Sequence, residues 1–160
     1  MEIYKAILKD YCSLPEMNII NNPPKCYITD DNNITLTFNK NLLMDNINDH
    51  FARRPDIYLE NTSEQKAYII DVAIVNDKNI VKAYGSKLET YSTLSQKLRE
   101  SKRLKYVYIY PVIITINGFI NKESVNKLNK LGLELNYVKM IRTIIIREMQ
   151  DLTFTSVNES

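Results

Sequence analysis

One histidine, His50, and two cysteines, Cys12 and Cys26, are all the imidazole and thiol ligands in this 160-residue chain. Three such residues cannot complete a four-ligand zinc site, and two cysteines build no disulfide framework, so both are read as ordinary thiols. Three glycines and five prolines are too few for a linker-rich or disordered chain. No apolar run approaches the ~20 residues of a membrane span, and the opening Met1-Glu2-Ile3-Tyr4-Lys5 lacks the apolar segment of a secretory signal. The expectation is an intracellular, soluble protein with no membrane partner. Charge of one sign is also missing: 21 Lys and Arg against 19 Asp and Glu leave a net +2, too mild to announce a nucleic-acid binder and no bar to a local basic surface.

What is present is 44% hydrophobic residues, enough for one domain over residues 1–160 with a buried core. Ile3, Ala6, Ile7 and Leu8 fall at helical spacing in a first helix ending before Pro15. An Asn-, Pro- and Asp-rich connection completes residues 2–33, with one short extended piece at Cys26 to Thr29. Ile34 to Phe38 alternates as a half-buried strand, and residues 39–49 form a loop or short helical turn. Ile57 to Leu59 is the next strand, joined by the polar link Asn61 to Lys66 to a long apolar strand, Ala67 to Val75. Residues 79–101 read as one main helix with Asn79 as N-cap, and Tyr106 to Ile114 as a strand whose Pro111 calls for an edge position or a bulge. Two helices fill residues 122–150, the first stopped by Gly132 and the second carrying Val138, Ile141, Ile145 and Met149 on one side, before a frayed tail over 153–160. Strand, helix, strand implies a parallel crossover and the short link an antiparallel pair, so the fold class is α/β with a mixed central sheet and helices packed on it.

One residue breaks the pattern. Asp71 interrupts the apolar strand, and a carboxylate there needs a donor, a base or a metal as partner. Asp56, fifteen residues earlier, stands near the start of the preceding strand, where a hairpin brings it toward Asp71. In the following helix Ile80, Tyr84, Tyr91, Leu94 and Leu98 mark an inner stripe whose missing member is Lys87. Two close carboxylates repel unless a cation neutralises them, and oxygen-only ligation favours magnesium (Mg2+) or manganese (Mn2+) over zinc. Such an ion can polarise a phosphodiester and lower the pKa of a bound water. Lys87 would then stabilise charge on the attacking water or the phosphate, with Tyr91 one turn later to position it. The plainer alternative makes Lys87 and Asp71 a structural ion pair and Asp56 a turn residue. Arg53 and Arg54, and the group Lys97, Arg99, Lys102, Arg103 and Lys105, are candidates for phosphate contact, the second group being equally suited to complement a helix dipole.

Arg54-Pro55-Asp56-Ile57, Lys66 to Ile74, Asn76 to Ile80, Lys87 to Leu94 and Val107 to Ile114, in that order, resemble the restriction-enzyme-like endonuclease domain that closes the open reading frame of site-specific non-LTR retrotransposons. Ile34 to Phe38 followed by Met44-Asp45, and the helical stretch Met140 to Phe154, extend the resemblance to most of the chain after Pro23. That family belongs to the PD-(D/E)XK nucleases. The resemblance implies a restriction-endonuclease-like αβββαβ core over about residues 34–114 with two C-terminal helices. It also implies Asp56 and Asp71 as ligands of a divalent ion assisted by the Ala73 carbonyl, and a catalytic lysine displaced to the helix at Lys87. The implied activity is metal-dependent cleavage of DNA, as in target-site nicking, with DNA and a reverse-transcriptase polypeptide as partners and a nuclear location. Arg53, Arg54, Lys102 and Arg103 are the DNA contacts expected.

The family's second helical lysine, just before the tyrosine, is replaced here by Thr90, and no zinc knuckle is recognisable upstream. These departures motivate the alternative of a catalytically decayed nuclease fold that binds or scaffolds nucleic acid.

Overall fold

In the computed structural model, residues 2–15, 19, 23–43 and 50–159 are described, the last nine by their backbone alone. The order is helix α1 (Glu2–Asp10), strands β1 (Cys26–Ile28), β2 (Ile34–Phe38), β3 (Ile57–Asn61) and β4 (Lys66–Val75), helices α2 (Ile80–Thr90) and α3 (Ser92–Ser101), strand β5 (Tyr106–Thr115), then helices α4 (Lys122–Lys130) and α5 (Tyr137–Glu159). The five strands form one sheet in the order β1-β2-β3-β4-β5. The first three pairings are antiparallel, β1–β2 and β3–β4 as their short turns require and β2–β3 across the long 39–56 connection, and β4 with β5 is parallel, as the α2–α3 crossover requires. The molecule is therefore α/β with a mixed sheet.

Side chains alternate across the pleat and separate two cores. Leu36, Ile57, Leu59, Ile70, Val112 and Ile114 face α1 and the start of α5, meeting Ile3, Ile7, Leu8 and Met140. Tyr58, Ala67 and Ile69 face the other way, onto Tyr91, Leu94 and Leu98 of the crossover. Each face of β4 is thus buried, which is why its sequence reads as a continuous apolar run rather than an alternation.

Pro111 sits on the edge strand β5. Its carbonyl points away from β4 and accepts from the Ser124 hydroxyl at 2.7 Å, so the missing N–H also lies on the outer side and the ladder loses nothing. The neighbouring outward carbonyls are taken as well. Ser95 donates to the Val107 carbonyl, Lys127 to that of Ile109, Asn121 N–H to that of Ile113, and Ile113 N–H donates to Ser124 Oγ.

Several expectations are corrected. The single helix over 79–101 is two, broken at Tyr91 (φ −101°, ψ 5°), where Ser92 turns its hydroxyl back onto the Glu89 carbonyl. Asn79 precedes α2 but its side chain caps nothing; a 3-10 turn, Asp77–Asn79, leads into the helix instead. On α5 the buried stripe runs through Met140 and Ile141 with Ile144 and Ile145 half-buried, and Val138 and Met149 are exposed at 69% and 62%. The tail expected over 153–160 continues as helix to Glu159, the segment containing neither glycine nor proline to stop it. Gly132 does terminate α4, with φ +72°. Met44-Asp45 and most of the 39–49 connection lie outside the described residues. Among the described residues no helix is long and apolar enough to cross a membrane.

Candidate active site

The site forms where the β3–β4 ladder ends. Ile57 pairs with Ile70, and the ladder cannot continue one step further back because Pro55 has no N–H to give. The two carboxylates take over. Asp56 N–H donates to Asp71 Oδ1 at 2.9 Å, and Val72 N–H donates to Asp56 Oδ2 at 2.8 Å, so each strand's aspartate accepts from the other's backbone.

Asp71 lies on the face covered by the crossover and is only 5% exposed. Lys87 Nζ reaches its Oδ2 at 2.5 Å, and the Tyr91 hydroxyl donates to Oδ1 at 3.1 Å, with the Arg54 carbonyl 3.5 Å away as a second acceptor. The buried carboxylate anticipated from the strand's sequence therefore has three donors. Burial and the Asp71 charge push the Tyr91 hydroxyl well above the ordinary tyrosine range, so it stays protonated and donating. The four residues Asp56, Asp71, Lys87 and Tyr91, scattered over two strands and the crossover, meet at one point.

Asp56, like Lys87 only partly buried, is the member that opens onto a cleft. With Ala73 and Val72 it lines a cleft of about 530 Å³ whose far wall is α5, through Thr143, Arg147 and Glu148. Desolvation and then the Asp71 charge push its carboxyl up from 3.8 to about 6, with the Val72 N–H and the Lys87 ammonium acting in the opposite sense. A carboxylate so lifted, open to a cleft and beside a second acid, is a place where a cation would relieve an existing repulsion. The donor set is all oxygen and hard. Asp56 and Ala73 line the cleft, whereas Asp71 does not, and both of its oxygens already accept from the Asp56 N–H, Lys87 and Tyr91, so it could join a hard cation only by giving up one of these donors. Among the described residues no group of three or more His, Cys, Asp and Glu stands ready to hold an ion, so any such site rests on two carboxylates.

The basic residues separate into two places. Arg54 is tied by its Nε to the carbonyl and side-chain oxygen of Asn39, a residue of the cleft wall, and so flanks the site. Arg53 donates to the Leu43 carbonyl at 3.2 Å and lies over the Phe51 ring. Lys102 pairs with Glu60 at 3.1 Å and sits over the Tyr58 ring, with exposed Arg103 beside it. Glu60 is four residues along β3 from Asp56, roughly 13 Å at ~3.3 Å per residue. Lys102 and Arg103 thus do not join the aspartate site. Sequence reasoning missed the α5 wall; the signal available was the charged pair Arg147-Glu148 directly after the apolar run Ile144 to Ile146.

Comparison with family models, with curated proteins and with solved structures returns no match.

Proposed function

We propose that this chain is a metal-dependent DNA endonuclease with a restriction-endonuclease-like core, hydrolysing a phosphodiester in the cleft between β4 and α5. The observation that carries the reading is the convergence of Asp56, Asp71, Lys87 and Tyr91 with Asp56 and Ala73 opening onto that cleft. The motif order read from the sequence supports the same conclusion independently of the geometry.

A bound magnesium ion would supply charge neutralisation at the phosphate and a water of lowered pKa. The chain's own part is positional and electrostatic. Asp56 and Asp71 are held by reciprocal backbone N–H bonds, which fix both carboxylates without using rotatable partners. Lys87 places a positive charge against the pair, and Tyr91 orients Asp71 by its hydroxyl. Arg54, anchored on Asn39, offers a cation at the cleft rim for the DNA backbone.

A second reading draws on one specific observation. Lys87, Tyr91 and the Asp56 N–H already occupy both oxygens of Asp71, the arrangement of a structural ion pair in a fold that binds DNA without cutting it. Incubation of purified protein with supercoiled plasmid separates the two. The nuclease reading expects nicking that requires magnesium or manganese and disappears in Asp71→Asn, which keeps the hydrogen-bond acceptor. Nicking that persists in Asp71→Asn, or salt-sensitive DNA binding with no metal-stimulated cleavage by the wild type, overturns it.

A further inference from the structure

A second surface lies toward the other end of β4 and β5. Tyr106 and Tyr108 of β5 stack with centroids 5.8 Å apart and planes 14° from parallel, Tyr108 stacks on Tyr68 of β4 at 5.4 Å, and Tyr110 closes the row at 6.0 Å from Tyr108. The row emerges from the core: Tyr110 is buried, Tyr68 and Tyr108 are half-buried, and Tyr106 is 51% exposed. Lys66, Lys127 and Lys130 line the same groove of about 490 Å³ as Tyr68, Tyr108 and Tyr110, and among the described residues no Asp or Glu lines it. Lys127 is held over the Tyr110 and Tyr84 rings, while Lys66 is tied only to an exposed Glu64 at 3.9 Å.

Cross-strand tyrosines stabilise a sheet, and that accounts for the buried end of the row. It does not account for carrying the stack out to a half-exposed ring beside a groove lined by three lysines and no acid. Flat rings with lysines alongside match a chain that alternates flat bases with phosphates, and a base can stack on Tyr106 only if it is unpaired and splayed. Among the described residues the lining includes no carboxylate or carboxamide side chain to accept from a 2′-hydroxyl, and the outward carbonyls of Val107 and Ile109 are already taken by Ser95 and Lys127.

We propose that the Tyr68–Tyr106–Tyr108 row with Lys66, Lys127 and Lys130 is a docking strip for single-stranded DNA. Tyr68 is paired with Tyr108 three residues along β4 from Asp71, so the strip is separate from the aspartate site and does not depend on cleavage there.

Fluorescence anisotropy with the full chain and a labelled oligothymidylate, in EDTA to silence any metal-dependent reaction, tests this. Wild type should bind the oligomer with a salt-dependent affinity and prefer it to an abasic oligomer of equal charge. Tyr106→Ala should weaken binding roughly 5- to 150-fold, the loss of about one stacked base. Tyr106→Phe should restore it, and Lys130→Ala should lower the salt slope. Tyr106 is exposed, and urea midpoints of its variants should match wild type. Equal affinity for the abasic oligomer, an unchanged affinity in Tyr106→Ala, or tighter binding of the matching oligouridylate overturns the proposal. Cleavage by a Tyr106→Ala protein that has lost the oligomer would leave the nuclease reading standing, and retained oligomer binding by an inactive protein would do the reverse.

Discussion

Replacing Asp56 by asparagine should make the protein more stable while removing its activity. The carboxyl is lifted from 3.8 to about 6 by burial and by Asp71, so its ionised form is disfavoured in the folded chain. At ~1.36 kcal/mol per pH unit the difference amounts to about 3 kcal/mol, an upper figure because solvent reaches the cleft. The sign follows from which state holds the proton. Below pH 3.8 Asp56 is protonated in both folded and unfolded chains and costs nothing. Between 3.8 and about 6 the unfolded chain releases its proton while the folded one keeps it, and stability falls; above 6 the cost is constant. Asparagine keeps an oxygen to accept from Val72 N–H and carries no charge. Urea unfolding in EDTA should therefore show equal stabilities near pH 4 and an advantage for Asp56→Asn that grows to at most about 3 kcal/mol at pH 8. For a domain of this length that is a rise of roughly 6–12 °C in Tm, at ~2–4 °C per kcal/mol. Millimolar magnesium should narrow the gap by stabilising the wild type alone. An Asp56→Asn protein less stable than wild type at pH 8, or an advantage that does not change with pH, refutes the reasoning.

Lys87→Met should cost about 3 kcal/mol at pH 8 and abolish plasmid nicking. Breaking a buried pair typically costs ~3–5 kcal/mol, and the low end applies because the Lys87 side chain is 28% exposed and Asp71 keeps two other donors. Magnesium should restore part of that loss in urea melts; a variant as stable as wild type without metal would show that the pair contributes nothing. Ser124→Ala leaves the Pro111 carbonyl and the Ile113 N–H without their partner in a fully buried position, and should lower the unfolding free energy by about 1–3 kcal/mol with cleavage unchanged. An unchanged urea midpoint would mean that water enters to replace the hydroxyl.

The strands were legible because their signals are local. Ile34–Phe38 alternates cleanly, the Asn61 to Lys66 link is short enough to force an antiparallel pair, and Pro111 called for an edge or a bulge, of which the structure shows the edge. The convergence of Asp56, Asp71, Lys87 and Tyr91 was legible too, since a buried acid in a strand and a lysine on an apolar stripe each demand a partner. What the sequence hid depends on tertiary placement. The break at Tyr91 comes from a residue whose side chain is drawn to Asp71, a contact twenty positions back. The rotation of the α5 stripe toward Met140 and Ile144 depends on where the sheet meets the helix, which a 3.6-residue period does not fix. Lys102 reads as a surface cation at a helix end, and only the fold reveals Glu60 beneath it.

The occupied carbonyls along the outer rim of β5 limit how this protein can associate. A strand with bare carbonyls and N–H groups recruits any extended segment that drifts past, whether from an unfolding neighbour or from a peptide partner. Here Ser95, Asn121, Ser124 and Lys127 take the outward carbonyls, Ser124 also takes the Ile113 N–H, and the opposite margin of the sheet, β1, is only three residues long. Growth of the sheet by another chain is thereby discouraged at both ends. Companions of this molecule are left its helices, its cleft and its tyrosine row, surfaces read by side-chain chemistry rather than by the backbone pattern common to every protein.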